Sequence, residues 1–159
     1  MRIAVVSDTH DHLPPGLFRA LEGVDEILHA GDLVSEDVLI ELGAVAPVVA
    51  VHGNMDPPEL AGRLPAERLV EREGIRIAIE HGHCRGRTTV EDFAEKYGPT
   101  GPDLVVFGHT HEALSREVDG VLYFNPGTAG GVGADPTIGI LTIEGGTFSI
   151  DHVQIRFYK

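Results

Sequence analysis

Cysteine is almost missing from this chain. Cys84 stands alone in 159 residues, so no intrachain disulfide can form and a disulfide-stapled secreted scaffold is excluded. The expected compartment is therefore the reducing cytoplasm. Tryptophan is absent, and side-chain amides are limited to Asn54, Asn125 and Gln154. Of 12 basic residues, only Lys96 and Lys159 are lysines. Few amides and sulfurs suit a thermophile, and a GC-rich genome explains the arginine bias equally well. No apolar run approaches the ~18 residues of a membrane span. The apolar run after Met1 is too short for the core of a signal peptide. Basic charge is scarce too: 12 basic residues face 25 acidic ones, for a net charge of −13. That balance argues against nonspecific binding to nucleic acid or to an anionic membrane. If the substrate is an anion, positive charge must come from elsewhere, and a metal ion is the usual source.

What is present fits a globular domain. The chain is 42% hydrophobic and 23% charged, and a chain near this length buries roughly 70% of its unfolded surface without staples. Collagen, coiled coil and disordered tail are excluded by composition, and one domain spanning 1–159 is expected. Residues 2–6 (RIAVV) read as a strand buried on both faces. Pro14 opens a short helix with Leu17, Phe18 and Leu21 on one face. A second strand covers 25–30, Ser35 caps the next helix with Glu36 and Asp37 in its first turn, and a third strand covers 47–51. This is the alternating rhythm of an α/β protein. A hairpin follows over 68–80, turning at Glu73-Gly74. Thr88 and Glu91 suggest a capping box for a helix through Tyr97, whose core face is Val90, Phe93, Ala94 and Tyr97. A strand at 104–107, a hairpin turning at Asp119-Gly120 and two strands over 137–143 and 147–157 complete the pattern. In the last strand the alternation slips between His152 and Val153, which suggests a bulge. So many strands for so few helices point to two packed sheets with helices outside.

Strand after strand runs out into metal-ligand residue types: Asp8 and His10, Asp32, Asn54, His81, then His109 and His111. In open α/β sheets, ligands bind beyond the carboxyl ends of the strands. Carboxylate, imidazole and amide oxygen form a mixed N/O set suited to Mn²⁺, Fe²⁺, Zn²⁺ or Co²⁺. On an extended segment, residues two apart share a side, so Asp8/His10 and His109/His111 each offer two ligands to one place. Gly31, Gly53, Gly82 and Gly108 are expected to turn the backbone beside them. Gly-Asp and Gly-Asn are ordinary turn pairs taken singly; five such pieces at five strand ends are not explained by turns alone.

Asp8-x-His10, Gly31-Asp32, Gly53-Asn54, His81 and Gly108-His109-x-His111 resemble the five motifs of the calcineurin-like metallophosphoesterases. The phrases SDTH (7–10), HAGD (29–32), GN-x-D (53–56), HGH (81–83), FGHTH (107–111) and NPGT (125–128) are most similar to the small single-domain prokaryotic phosphodiesterases of that family. The resemblance runs from residue 1 to about 130. It implies a four-layer α/β/β/α sandwich of two mixed sheets flanked by helices, and a dinuclear metal centre along one edge. One metal would take Asp8, His10, Asp32 and His111; the other would take Asp32, Asn54, His81 and His109. Asp32 would bridge them beside a hydroxide that attacks the phosphodiester in line. Two divalent cations, manganese first with iron, zinc, nickel or cobalt as alternatives, are the implied cofactors. Against two carboxylates they leave a centre of about +2, which answers the anion problem. Phosphodiesters, nucleotide-derived ones among them, are the implied substrates.

The chain departs from the wider family at Met55, where many members carry a histidine that protonates the leaving group. His83 is the nearest substitute acid, with His12 behind it. The catalytic residues expected on this reading are Asp32, Asn54 and His83. His29, His52 and His152 read as satisfied structural histidines, Cys84 as a partly buried thiol, and Asp56 as either a supporting contact or a turn residue. Asn125–Thr128 would shape the pocket and offer backbone N–H groups to phosphate oxygens. The competing reading is a non-catalytic metal-binding scaffold or protein-interaction module of the same fold, as the retromer subunit of this fold illustrates. Retention of all seven ligand positions favours the enzyme.

Overall fold

The computed structural model describes residues 1–83, 88–98 and 101–155. The first half contains β1 (Arg2–Val6), α1 (Pro15–Ala20), β2 (Glu26–His29), α2 (Glu36–Gly43), β3 (Val48–Ala50) and α3 (Pro58–Ala61). The second half contains β4 (Glu67–Arg72), β5 (Ile75–Glu80), α4 (Val90–Tyr97), β6 (Leu104–Val106), β7 (Leu114–Val118), β8 (Val121–Asn125), β9 (Thr137–Glu144) and β10 (Thr147–Gln154). The strands form two five-stranded sheets ordered β10-β9-β1-β2-β3 and β4-β5-β6-β8-β7. Both are mixed. Strands β1, β2 and β3 run parallel; β9 pairs antiparallel with β1, and β10 antiparallel with β9. Strands β5, β6 and β8 run parallel between antiparallel β4 and β7.

Three apolar layers hold this together. Ile3, Val5, Leu28, Ile77, Ile79, Val106 and Phe124 fill the space between the sheets. Ala4, Val6, Leu17, Leu21, Ile27, Val38 and Leu42 pack α1 and α2 on the outside of the first sheet. Ala78, Val90, Phe93, Val105, Phe107 and Tyr123 pack α4 on the outside of the second. The result is the expected α/β/β/α order. It also explains why β1 reads as an unbroken apolar run: Ile3 and Val5 face one core while Ala4 and Val6 face the other. Among the described residues, no helix is long and apolar enough to cross a membrane.

Two local expectations are corrected. The N-cap of α4 is Thr89, not Thr88, and its reciprocal partner is Asp92. Thr88 instead donates its hydroxyl to the Gly82 carbonyl at 3.2 Å. Strand β10 has no bulge up to Gln154, because its register with β9 is continuous from Thr147↔Glu144 to Gln154↔Thr137. The apolar pattern slips for a different reason: both faces of β10 are partly covered. Phe148 and Ile150 lie on the inter-sheet core and Val153 on the helical side, while His152 stacks on Phe124 at 4.3 Å between ring centroids. The end of that strand reading at Phe157, and the reading of Cys84, lie outside the described residues.

Candidate metal centre

The C-terminal ends of β1, β2, β3, β5 and β6 meet at one edge of the sandwich, and the polar residues that follow them converge there. Extended alternation does not bring them together. Asp8, His10, Asp32, His109 and His111 all take positive φ, between 47° and 73°, a left-handed conformation that costs a non-glycine residue and clusters at functional sites. Two of the expected turn glycines serve another purpose. A Cβ on Gly53 would lie 2.2 Å from Asp32 Oδ1, and one on Gly108 would lie 2.1 Å from Ser7 Oγ and 2.6 Å from Asp8 Oδ2. Glycine is required there so that neighbouring loops can approach.

Asp8 is fully buried. Its Oδ2 accepts from Ser7 Oγ at 2.7 Å and from the His109 N–H at 3.1 Å. Its Oδ1 has no hydrogen-bond donor among the described residues, and faces His111 Nε2 at 3.2 Å and His10 Nε2 at 3.6 Å. Asp32 is held in a similar way. Its Oδ1 accepts from the Met55 N–H at 2.8 Å, while Oδ2 faces His81 Nε2 at 3.3 Å and His10 Nε2 at 3.5 Å. Asn54 Oδ1 lies 3.1 Å from both His81 Nε2 and His109 Nδ1. His81 donates Nδ1–H to the Ala30 carbonyl at 2.8 Å, and His111 donates Nδ1–H to the Val132 carbonyl at 2.9 Å. Those bonds fix the tautomer and leave both Nε2 lone pairs facing the site, the usual support for a ligating histidine. Asp8, His10 and His111 form one cluster of ligand atoms within 4.8 Å, and Asp8, Asp32 and His81 form another.

The electrostatics call for a cation. Burial alone would raise the carboxyl pKa of Asp8 and of Asp32. In Asp8 the facing His111 ring and the His81 charge outweigh it, and in Asp32 the His81 contact and charge do so, so both end below the ordinary carboxylate range. Burial pulls His81 down, but its hydrogen bond to Asp32 and the two nearby carboxylates bring it above the ordinary histidine value. The facing Asp8 carboxylate raises His111. Burial and the His81 charge lower His109. A bare buried Asp8 oxygen, lone pairs fixed toward it and an N/O donor set therefore fit divalent metal.

The remaining candidates fall around this cluster. His83 is half-buried, with its ring 5.4 Å from that of His81. Burial and the His81 charge lower its pKa. His12 is exposed. His29 is fully buried; its Nδ1 accepts from the Gly31 N–H at 3.1 Å, and its Nε2 lies 3.1 Å from Thr9 Oγ1. His52 donates Nδ1–H to Leu64 O at 2.9 Å, and His152 donates Nε2–H to Asn125 O at 2.8 Å. Asn125–Thr128 are buried rather than pocket-facing, and the Gly127 N–H is occupied by Asn125 Oδ1 at 2.9 Å. Asn125 instead ties down the Gly108 and Thr110 loop, and Thr128 Oγ1 donates to the Asp8 carbonyl. Sequence reasoning missed the Met55 backbone N–H as a holder of Asp32, since a backbone contact leaves no residue-type signal. It also left Asp56 open.

Residues 1–146 match the calcineurin-like phosphoesterase superfamily domain, and the chain belongs to that family. A phosphodiesterase of Methanocaldococcus jannaschii is 37% identical, with 91% of this chain and 94% of that one covered. The solved structure of an archaeal phosphodiesterase is 34% identical, covers 96% of this chain and 100% of its own, and superposes with a TM-score of 0.76. Vps29 of Chaetomium thermophilum shares the fold, with a TM-score of 0.83 at 20% identity over 96% of this chain and 97% of that one.

Proposed function

We propose that residues 1–159 act as a single metallophosphoesterase domain that hydrolyses phosphodiesters at a dinuclear centre. Asp8, His10, Asp32 and His111 would hold one divalent cation, Mn²⁺ first, and Asp32, Asn54, His81 and His109 the other. When bound, such a pair supplies Lewis acidity toward the phosphoryl oxygens and a water nucleophile that is acidic enough to work near neutral pH. The chain's own residues prepare the place. Asp32 is suited to face both cations because the Met55 N–H holds one oxygen and the other points into the cluster. His81 and His111 keep their Nε2 lone pairs inward through bonds to Ala30 and Val132. Met55 offers no proton to the leaving group, and His83 is the nearest side chain to do so.

The observation that carries this reading is the convergence of five side chains in two ligand clusters, with Asn54 and His109 joined to them through His81, and with Asp8 Oδ1 buried and without a donor among the described residues. The phosphodiesterases among its relatives support the diester assignment. Asp32→Asn tests it. The variant is expected to hold fewer than two metal equivalents and to lose turnover of an aryl phosphodiester by orders of magnitude. A variant with two bound metals and near-native turnover would remove Asp32 from the centre. A native protein that binds metal yet turns over no diester would leave the scaffold reading in its place.

A further inference from the structure

Asp56 is buried to 9% exposure at the end of the loop that carries Asn54, and both of its carboxylate oxygens are taken up by backbone N–H groups. Its Oδ2 accepts from the Gly53 N–H at 2.7 Å and from the Asp32 N–H at 3.0 Å. Its Oδ1 accepts from the Val34 N–H at 2.7 Å. One carboxylate thus gathers three N–H groups from two loops that leave different strands, β2 and β3. Hydrogen bonds to an ionised acceptor are roughly twice as strong as neutral ones, and here they oppose a cost. Asp32 sits at φ 59° and Val34 at φ 75°. A β-branched residue in the left-handed region is a genuine outlier that persists only where the surroundings impose it. The adjacent Met55 N–H fixes the Asp32 side chain from the same loop. Residues 55 and 56 therefore set both the backbone and the carboxylate of Asp32 relative to Asn54.

We infer that Asp56 is a positioning residue: a backbone clamp that sets the spacing between Asp32 and Asn54, and through it the metal position those two loops share. This rests on the metal-centre reading above. Both carboxylate oxygens are required as acceptors, not merely a polar group of that shape. Asparagine has one acceptor oxygen, so its NH₂ must face either the Val34 N–H or the pair from Gly53 and Asp32.

The test is Mn²⁺ binding to metal-free protein, followed by calorimetry and electron paramagnetic resonance, in native protein, Asp56→Asn and Asn54→Ala. Disturbing the groups that orient metal ligands typically costs ~10–100-fold in affinity. Asp56→Asn should therefore remain folded but bind one Mn²⁺ equivalent 10–100-fold more weakly, and at equal loading its spectrum should lose the signature of coupled ions. Asn54→Ala should lose the same equivalent. A clamp that served only stability would lower the melting temperature and leave affinity and spectrum native; that result overturns the proposal while leaving the metal centre intact. A native protein that binds no Mn²⁺ overturns both. If Asp56→Asn does not fold, the same measurements are made on Asp56→Asn in a Val34→Gly background, because glycine adopts the left-handed φ freely. Weak binding of the shared metal is still expected there, since one amide oxygen cannot hold both the residue-34 N–H and the pair from Asp32 and Gly53, and native affinity would overturn the proposal.

Discussion

Met55 sets the chemistry that can be asked of this site. Its side chain is 56% exposed and carries no transferable proton, while general-acid help is typically worth ~10²–10⁴-fold. Aryl phosphodiesters, whose phenolates leave readily, should be cut far faster than alkyl ones, and diesters should be preferred to monoesters. A rate series against leaving-group pKa should give a steep slope for the native enzyme, and Met55→His should flatten it while improving monoesters. A shallow native slope would mean that an acid already acts, and His83→Ala would then steepen it. A second prediction concerns His29, which burial pushes down to about 4 despite the nearby carboxylates. The folded state keeps it neutral while the unfolded chain protonates near 6.5. Its contribution is therefore complete above that value and is lost as pH falls from about 6.5 toward 4. Between pH 7 and 4.5 this amounts to about 2–3 kcal/mol. Urea unfolding of metal-free protein should show native stability falling by that much more than in His29→Gln; parallel pH profiles would contradict it.

At the scale of elements, the site lies where local structure is simplest to read. Strands buried on both faces announce themselves as short apolar runs, and the polar residues beyond their ends need no further signal. This is why Asp8, Asp32, Asn54, His81 and the His109/His111 pair were legible as one set. What was not legible is how the loops turn. Aspartate and histidine are enriched in left-handed backbone, but residue type does not say which of them adopts it, and the clamp by Asp56 uses backbone N–H groups that every residue but proline owns. The cap of α4 shows a different ambiguity. Thr88 with Glu91 and Thr89 with Asp92 satisfy the same spacing, and only the Thr88 bond to Gly82 breaks the tie. Thr89→Ala should therefore cost about 1 kcal/mol of stability, seen as a lower urea midpoint at constant slope. An unchanged midpoint would contradict the observed cap.

For the molecule as a whole, the two sheets bring five strand ends to one edge, and an acidic protein with a net charge of −13 places the buried carboxylates of Asp8 and Asp32 there. Such a surface disfavours an anionic substrate unless cations are fixed at that edge, so the account stands or falls on whether they are. The most direct measurement is anomalous diffraction at the manganese edge from crystals grown with Mn²⁺. The account predicts two peaks ~3.5–4 Å apart, one bounded by Asp8, His10, Asp32 and His111 and the other by Asp32, Asn54, His81 and His109. A single peak, or two that do not share Asp32, would contradict it.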